Sequence, residues 1–344
     1  TYGNNTFVTV GKGGKIYTSS DGITWTFRTS GIGDNLMGVT FGNNTFVAVG
    51  YSGKIVRSTD NGTNWDNATS PITTDIRGVT FGNNTFVAVG YDGSIVKSTD
   101  NGTNWDNATS PTANILRGVT FGNNTFVAVG NSGNIVRSTD NGTTWDNATS
   151  PTANNLKGIA YGNNITQNWH KGNYVAVGSS GNIVKSADST NCKTTWSGSN
   201  SGVSPQDEGV ICDIGSSFDN KTSPTASDLI RVTFGNNTFV AVGGSGTIVR
   251  SDAGGSYYAH NLISFDNVTS PTASNLRGVT FGNNIFVAVG RYGKIVRSSD
   301  NGTSFDNATS PTANTLKRIT FGNNTFVAVG NEGNIVRSTD NGSS

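Results

Sequence analysis

The sequence predicts an all-β protein, a β-propeller built from four-stranded antiparallel blades. Three observations predict it. The same fourteen residues, STDNGTNWDNATSP, occupy positions 58–71 and return at 98–111, forty positions later. Gly, Asn, Ser and Thr are abundant, which suits short strands joined by tight turns. The chain has one Met and two Glu, so strong helix formers are scarce.

Copies of one unit run along the whole chain, and most are forty residues long. They begin at Tyr2, Phe41, Phe81, Phe121, Tyr161, Phe234, Phe281 and Phe321. The units from Tyr161 and Phe234 are longer because they carry insertions. Repeats of this length are typical of propellers and other repeat architectures, in which each unit covers its neighbour.

Within one unit the residues predict four short strands in order. The first is LRGVTF at 116–121, and a turn at GNN leads to TFVAVG at 125–130. A turn at NSG leads to NIVRS at 134–138, and TDNGT leads to TWDNAT at 144–149. Gly and Asn tolerate the positive φ angles that tight hairpin turns require. The segment SPTAN then links to the next unit.

Both faces of each predicted sheet are apolar. Val127 and Val129 face one way, whereas Phe126 and Ala128 face the other. Each sheet must therefore be covered on both sides, and radial stacking of blades provides that cover.

We expect a single propeller domain over residues 1–344 with eight blades, or alternatively seven. The first unit has only a stub of its innermost strand, at Thr1 and Tyr2. We therefore expect a segment outside this sequence, or one from another chain, to complete the eight-bladed ring.

The turn STDNGTTW at 138–145 resembles the Asp-box of BNR repeat proteins, S-x-D-x-G-x-T-W. Similar turns occur in sialidases, in photosystem II assembly-factor propellers and in many secreted bacterial and archaeal propellers. The resemblance implies that the Asp carboxylate accepts hydrogen bonds from its own turn, while the aromatic residue packs between neighbouring sheets. The matching residues are Asp21, Trp25, Asp60, Trp65, Asp100, Trp105, Asp140, Trp145, Asp300 and Phe305.

Three insertions distinguish two neighbouring units from the rest, at about 165–173, 189–217 and 253–264. The first-to-second and third-to-fourth turns of a four-stranded blade share one rim, so we expect the insertions to rise from one face. That face would carry the binding candidates Trp169, His170, Tyr257, Tyr258 and His260. Aromatic side chains of this kind stack on sugars or on apolar partner residues. The alternative is a pair of drifted loops that support each other.

A metal site on the two histidines with Asp207, Glu208 or Asp213 matches no known ligand spacing, so we predict neither a metal nor another cofactor. Cys192 and Cys212 lie in the longest insertion and are predicted to form a disulfide, which implies an oxidising compartment. Free thiols or half a zinc site are the alternatives.

Asn-x-Ser/Thr sequons recur on the outermost strand of the unit, where a glycan would cover an exposed sheet edge. The glycosylation candidates are Asn67, Asn107, Asn147, Asn220, Asn267 and Asn307.

Charge excludes several classes of partner. Charged residues make up 13% of the chain and the net charge is +1, so attraction to nucleic acid or to an anionic membrane is not expected. No apolar run reaches the length of a membrane span.

The innermost strands place five basic residues towards one end of the central channel. They form a site for an anion or acidic glycan, or alternatively a solvated rim. These are Arg77, Arg117, Lys157, Arg277 and Lys317.

Together these features predict a non-enzymatic extracellular or cell-surface scaffold, such as a filament or surface-layer subunit, that is N-glycosylated. It would associate with itself or with another surface protein, and with glycans. A multivalent lectin or adhesin is the alternative. A sialidase-like hydrolase is disfavoured, because 27–29 does not match the Arg-Ile-Pro motif that the resemblance would imply. Near-identical units also argue against a catalytic site, which needs different residues from different blades.

Overall fold

The fold was examined in a computed structural model that describes residues 1–163, 172–186, 192–194, 210–212, 215–251 and 263–344. Eight antiparallel sheets form an eight-bladed β-propeller, which confirms the predicted fold and excludes the seven-bladed alternative. Seven sheets have four strands, and the eighth has three. The described part of the chain contains no helix with the length and hydropathy of a membrane span.

Blades 1–4 follow one plan, in which consecutive strands pair from the channel outwards. Their strands are β1 (Tyr2–Gly3), β2 (Thr6–Val10), β3 (Ile16–Ser19) and β4 (Thr26–Arg28); β5 (Leu36–Gly42), β6 (Thr45–Gly50), β7 (Ile55–Ser58) and β8 (Asp66–Asn67); β9 (Ile76–Gly82), β10 (Thr85–Gly90), β11 (Ile95–Ser98) and β12 (Asp106–Ala108); β13 (Leu116–Gly122), β14 (Thr125–Gly130), β15 (Ile135–Ser138) and β16 (Asp146–Asn147).

Blades 5–8 repeat the plan with two departures: blade 5 has an additional two-stranded sheet, β20–β21, within its insertion, and blade 8 lacks a fourth strand. Their strands are β17 (Leu156–Gly162), β18 (Asn173–Gly178), β19 (Ile183–Ser186), β20 (Cys192–Thr194), β21 (Val210–Cys212) and β22 (Phe218–Lys221); β23 (Leu229–Gly235), β24 (Thr238–Gly243), β25 (Ile248–Ser251) and β26 (Phe265–Val268); β27 (Leu276–Gly282), β28 (Ile285–Gly290), β29 (Ile295–Ser298) and β30 (Asp306–Ala308); β31 (Leu316–Gly322), β32 (Thr325–Gly330) and β33 (Ile335–Ser338).

A short 3₁₀ turn joins the second and third strands of every blade. The turns are Lys12–Gly14, Tyr51–Gly53, Tyr91–Gly93, Asn131–Gly133, Ser179–Gly181, Gly244–Gly246, Arg291–Gly293 and Asn331–Gly333. Their last residue must be glycine. Gly53, for example, has φ +66°, and a Cβ there would lie 1.9 Å from the Ile72 carbonyl oxygen.

Neighbouring blades meet through an aromatic ring packed on a glycine. The ring of Phe81 lies against Gly42 in the preceding blade, where a Cβ would be 2.0 Å from Phe81 Cγ. The same contact recurs between successive blades around the ring. Its last member joins Tyr2 of blade 1 to Gly322 of blade 8. This contact places blade 1 beside blade 8, and the stub expected at Tyr2 is the short strand β1. Completion of the ring by a further segment stays a prediction.

We call the contact between two neighbouring blades a seam. Each seam from blade 1 to blade 8 holds one cluster of buried apolar side chains. Between blades 2 and 3, Val47, Val49 and Ile55 pack on Ile76 and Trp105. The core is therefore divided among the seams, which matches the apolar character of both sheet faces.

One seam differs from the others because Tyr174 replaces the usual Phe on the second strand. Its side chain is fully buried. Its hydroxyl donates towards two carbonyl oxygens of blade 4, at 2.6 Å from Gly122 O and 2.8 Å from Thr125 O. Burial, the largest influence, and the nearby Tyr161 raise the pKa of Tyr174. The hydroxyl therefore stays protonated and ties blade 5 to blade 4.

Candidate functional site

The propeller has two distinct rims. The turns that join the first strand to the second, and the third strand to the fourth, lie on one rim, which we call the Asp-box rim. Side-chain amides link neighbouring blades there; Asn43 Nδ2, for example, donates to Asn101 Oδ1 at 2.6 Å. The 3₁₀ turns and the links between blades lie on the opposite rim. We call this the basic rim because basic residues of the inner strands lie there.

On the Asp-box rim, the Asp carboxylates accept hydrogen bonds from their own turns. Asp60 Oδ1 accepts from the Ser58 hydroxyl at 2.8 Å and from the Asn64 N–H at 2.9 Å. Burial, the largest single influence, raises the pKa of Asp60, but hydrogen bonds from Asn64 and Ser58 outweigh it and lower the pKa below its ordinary value. Asp21, Asp100, Asp140 and Asp300 make equivalent bonds. A carboxylate held in this way organises a turn.

The aromatic residue of each box packs inward, between blades. Trp65 is buried, and its indole N–H donates to the Gly62 carbonyl at 3.0 Å. Trp105, Trp145 and Phe305 are buried at the same position, whereas Trp25 is half-buried. The four buried side chains are part of the seams and present no surface to a ligand.

The insertions are rooted on the Asp-box rim, between β17 and β18, between β19 and β22, and between β25 and β26. The proposed binding residues within them lie outside the described residues. These are Trp169, His170, Tyr257, Tyr258 and His260, together with the carboxylates Asp207, Glu208 and Asp213. The binding platform therefore stays a prediction. Among the described residues, no cluster of three or more His, Cys, Asp or Glu could hold a metal.

Strands β20 and β21 pair in antiparallel register with Cys192 directly opposite Cys212. Directly opposed residues in an antiparallel pair have Cα atoms about 4.5–5.5 Å apart, which is within the range that a disulfide spans. The register is compatible with the predicted disulfide, which remains a proposal.

The six glycosylation candidates are exposed on the outermost strands. Three of their amides donate to a proline carbonyl of the preceding link, as in Asn267 Nδ2 to Pro224 O at 2.7 Å. These asparagines thus hold the links in place. Their glycosylation remains a prediction.

At the basic rim, a β-bulge occurs near the start of the inner strand in each of blades 2–8. The extra residue of a bulge is unpaired, so its side chain is re-aimed. Five of the seven bulge residues are basic, namely Arg77, Arg117, Lys157, Arg277 and Lys317. Two of these side chains reach the 3₁₀ turns: Arg117 Nε donates to Asn131 Oδ1 at 2.6 Å, and Arg77 lies over the Tyr91 ring, 4.6 Å from its centroid.

Two further arginines belong to this group and were not singled out from the sequence. The residue after the bulge is glycine in blades 2, 3, 4, 5 and 7, but it is Arg231 in blade 6 and Arg318 in blade 8. The signal was present in the strands LIRVTF and LKRITF, where Arg replaces the Gly of LRGVTF. We call these seven residues the basic ring.

Positive charge in the basic ring is crowded. Burial in the channel, followed by repulsion from Arg318, lowers the pKa of Arg231. Burial and then repulsion from Arg277 lower the pKa of Arg318. Lys157 is paired with Asp228, with Nζ and Oδ2 2.6 Å apart. The buried Nε atoms of Arg77 and Arg277 have no hydrogen-bond partner. Mutual repulsion among these cations favours binding of an anionic group.

The family model described as photosynthesis system II assembly factor YCF48 matches residues 17–206. The computationally designed Ika8 protein has a similar structure, with TM-score 0.70, 14% identity, and 98% of this chain and 94% of that chain covered. YCF48 bound to D1 peptide gives TM-score 0.60 at 17% identity over 88% and 91% of the two chains. YCF48 from Cyanidioschyzon merolae gives TM-score 0.60 at 18% identity over 88% and 94%. A search of curated proteins finds no match.

The expected extracellular or cell-surface location is wrong. The matching family and two of these similar structures are assembly factors of photosystem II, a complex of the photosynthetic apparatus rather than of the cell exterior. Low charge and repetition suit propellers generally, so they carried no information on compartment.

Proposed function

The chain belongs to the family of photosynthesis system II assembly factor YCF48, and from this premise we propose that it is a non-enzymatic assembly scaffold that holds an acidic segment of a partner protein. The basic ring is the proposed site. The observation that carries the proposal is that seven basic residues occupy two equivalent positions of the inner strands at one rim, where neighbouring like charges help to lower the pKa of Arg231 and Arg318. A carboxylate-bearing segment would relieve that repulsion.

A peptide is the kind of ligand that this site suits. The similar structure of YCF48 holds a D1 peptide, so a related propeller binds a peptide segment. Guanidinium groups bind carboxylates through paired hydrogen bonds, and Arg77 and Arg277 each retain a buried donor without a partner. An extended segment with Asp, Glu or a free C-terminus would supply carboxylates to the guanidinium groups along the rim.

Repetition supports a scaffold rather than an enzyme. The ring residues recur at two equivalent positions of the inner strand, whereas catalysis needs different residues placed around one reacting centre. The carboxylate of Glu332 lies on an exposed 3₁₀ turn and accepts from Asn314 Nδ2 at 3.3 Å. A sialidase-like role would instead need a Tyr–Glu nucleophile pair.

Two substitutions test the site with little risk to the fold. Arg231→Gly and Arg277→Met each introduce a residue that another blade carries at the same position, as Gly118 and Met37 do. The matched control is Lys54→Ser, which removes an exposed charge from the outer part of the same rim and copies Ser94 of the next blade.

Binding of a fluorescein-labelled Asp-Ser repeat peptide would be measured by fluorescence anisotropy, with an Asn-Ser repeat peptide for comparison. We expect the unmodified protein to prefer the acidic peptide, and the Arg231→Gly, Arg277→Met double variant to bind it about tenfold more weakly. Lys54→Ser should bind like the unmodified protein. Equal affinity for both peptides, or equal loss in the control, would overturn the proposal.

A further inference from the structure

Tyr292 is a large aromatic side chain exposed on the basic rim. It is 69% exposed and occupies the second position of the 3₁₀ turn of blade 7, with φ 56°. Bulky residues rarely adopt this left-handed backbone conformation, because their Cβ strains it. The other blades carry a smaller or a charged residue there, namely Gly13, Ser52, Asp92, Ser132, Ser180, Ser245 and Glu332. Strained residues of this kind cluster at functional sites, so Tyr292 indicates a binding role.

A groove of about 510 Å³ opens beside Tyr292. It lies between the turn of blade 7, the outer strand β30 and the link to blade 8. Of the residues that line it, Ile295 is buried, whereas Lys294 and Asn307 are exposed. None of the described residues that line it is acidic. The groove is therefore an open polar depression with a tyrosine in its wall and a lysine beside it.

The groove offers both hydrogen-bond donors and acceptors. The Lys294 ammonium forms no hydrogen bond or ion pair with any residue that the structure describes, so its three N–H groups are available. Asn307 Nδ2 donates to Pro271 O at 3.3 Å, and its Oδ1 has no partner in the described part of the chain. A sugar ring presents C–H groups on its face and hydroxyls at its edge. An aromatic ring beside free donors and acceptors matches that chemistry.

An equivalent groove in blade 2, of about 550 Å³, serves as an internal comparison. Lys54 and Asn67 line it at the positions of the lysine and asparagine of blade 7. Ser52 stands in place of the tyrosine, and the carboxylate-bearing residue Asp34 lines this groove as well. The blade 7 groove differs by an aromatic ring and by a lysine without an acidic neighbour. It therefore suits an anionic ligand that also has an apolar face.

We propose that the groove of blade 7 binds an acidic oligosaccharide, a chain of uronic acid rings. One sugar ring stacks on Tyr292, and a sugar carboxylate pairs with the Lys294 ammonium. A sugar hydroxyl donates to Asn307 Oδ1. Arg291, the exposed residue before the tyrosine, adds positive charge to the same turn. A neutral sugar would gain the stacking alone and would bind more weakly.

The test uses the 344-residue chain produced in a bacterial host without N-glycosylation, so that Asn307 carries no glycan. Binding of fluorescein-labelled hexagalacturonate is measured by fluorescence anisotropy, with labelled maltohexaose as the neutral comparison. We expect hexagalacturonate to bind saturably and at least about threefold more tightly than maltohexaose. Absence of hexagalacturonate binding, or equal affinity for the two sugars, would overturn the proposal.

Two variants locate the binding site, and each introduces a residue that another blade carries at the same position. Tyr292→Ser copies Ser132 and should weaken hexagalacturonate binding about tenfold, because the stacking surface is lost. Its urea midpoint should not fall, because an exposed ring adds little to packing. Lys294→Ser copies Ser94 and should weaken hexagalacturonate binding about threefold while leaving maltohexaose binding unchanged. Unchanged hexagalacturonate binding in Tyr292→Ser would overturn the proposal.

Two controls separate this groove from the rest of the basic rim. Tyr51→Asn removes a turn tyrosine from blade 2 and copies Asn131, and it should bind hexagalacturonate like the unmodified protein. The Arg231→Gly, Arg277→Met double variant should also retain this binding, whereas it loses the acidic peptide. A loss of hexagalacturonate binding in either control as large as that in the tyrosine variant of blade 7 would place the sugar elsewhere and contradict the proposal.

Discussion

The aromatic ring of Tyr2 in blade 1 lies against Gly322 in blade 8, where a Cβ on Gly322 would come within 2.1 Å of Tyr2 Cγ. This contact repeats the one between Phe41 and Gly3, so the last seam uses the same device as the first. It joins blade 8 to blade 1.

Gly322→Ala should destabilise the protein by about 1–3 kcal/mol, because the added methyl group must displace the Tyr2 ring. Gly11→Ala is the matched control, since Gly11 is extended and has no atom within 4 Å of a built Cβ. Urea unfolding would give the free energy of unfolding of each variant. Equal stability of the two variants would show that Tyr2 does not close the ring.

Acid should weaken the Asp-box turns. Burial, the largest single influence, raises the pKa of Asp300, but hydrogen bonds from Ser304 and Ser298 outweigh it and lower the pKa from 3.8 to about 2. The folded pKa is below the unfolded one, so the stabilisation is fully present above pH 3.8 and is lost as the pH falls towards 2.

Asp300→Asn should therefore lower the urea midpoint at neutral pH and make its decline between about pH 4 and pH 2 shallower. Asp306→Asn removes an exposed carboxylate on β30, outside the box, and serves as the control. The interpretation would fail if both variants followed the pH profile of the unmodified protein.

Replacement of the box tryptophan should depend on whether an aromatic ring remains. Trp105→Phe loses the hydrogen bond from the indole N–H to Gly102 O, 3.1 Å long, and should cost about 1 kcal/mol. Trp105→Ala should cost about 3–5 kcal/mol through the cavity it creates. Phe305 shows that this position accepts phenylalanine. Chemical denaturation compares the variants, and equal losses would contradict a packing role.

Sulfate should stabilise the protein through the basic ring. At equal ionic strength, we expect the protein to melt at a higher temperature in sulfate than in chloride. This difference in melting temperature should be about 2 °C larger for the unmodified protein than for Arg231→Gly. General salting-out effects act on both proteins and cancel in this comparison. Identical shifts, measured by scanning calorimetry, would count against anion binding at Arg231.

The repeat made most of the fold predictable. Val127 and Val129 alternate with Phe126 and Ala128, and this pattern fixed β14 at the observed bounds of 125–130. The fourth strand was predicted at 144–149 but spans only Asp146–Asn147. Ala148 is buried and its N–H still donates to Ile135 O at 2.9 Å, but Thr149 exchanges backbone hydrogen bonds with the next blade, so the strand ends where the chain changes partner.

The candidate site was less accessible to sequence reasoning. Arg77 and Arg117 were assigned to the channel, but the bulge that aims them at the 3₁₀ turns has no sequence pattern of its own. Arg231 and Arg318 lie two blades apart, and they repel each other because the inner strands of different blades face one channel. Strand alternation predicts which face a residue occupies, but it cannot predict which residues of different blades converge.

The buried hydroxyl of Tyr174 has a consequence for how precisely blade 5 must dock. Most seams use the same Phe–Gly contact, so a partly folded blade can dock in a shifted position at little cost in energy. The Tyr174 hydroxyl must instead meet two carbonyl oxygens, those of Gly122 and Thr125, and a shifted blade would leave a polar group buried without a partner. Tyr174 thus penalises misaligned docking of blade 5, whichever repeat stands beside it.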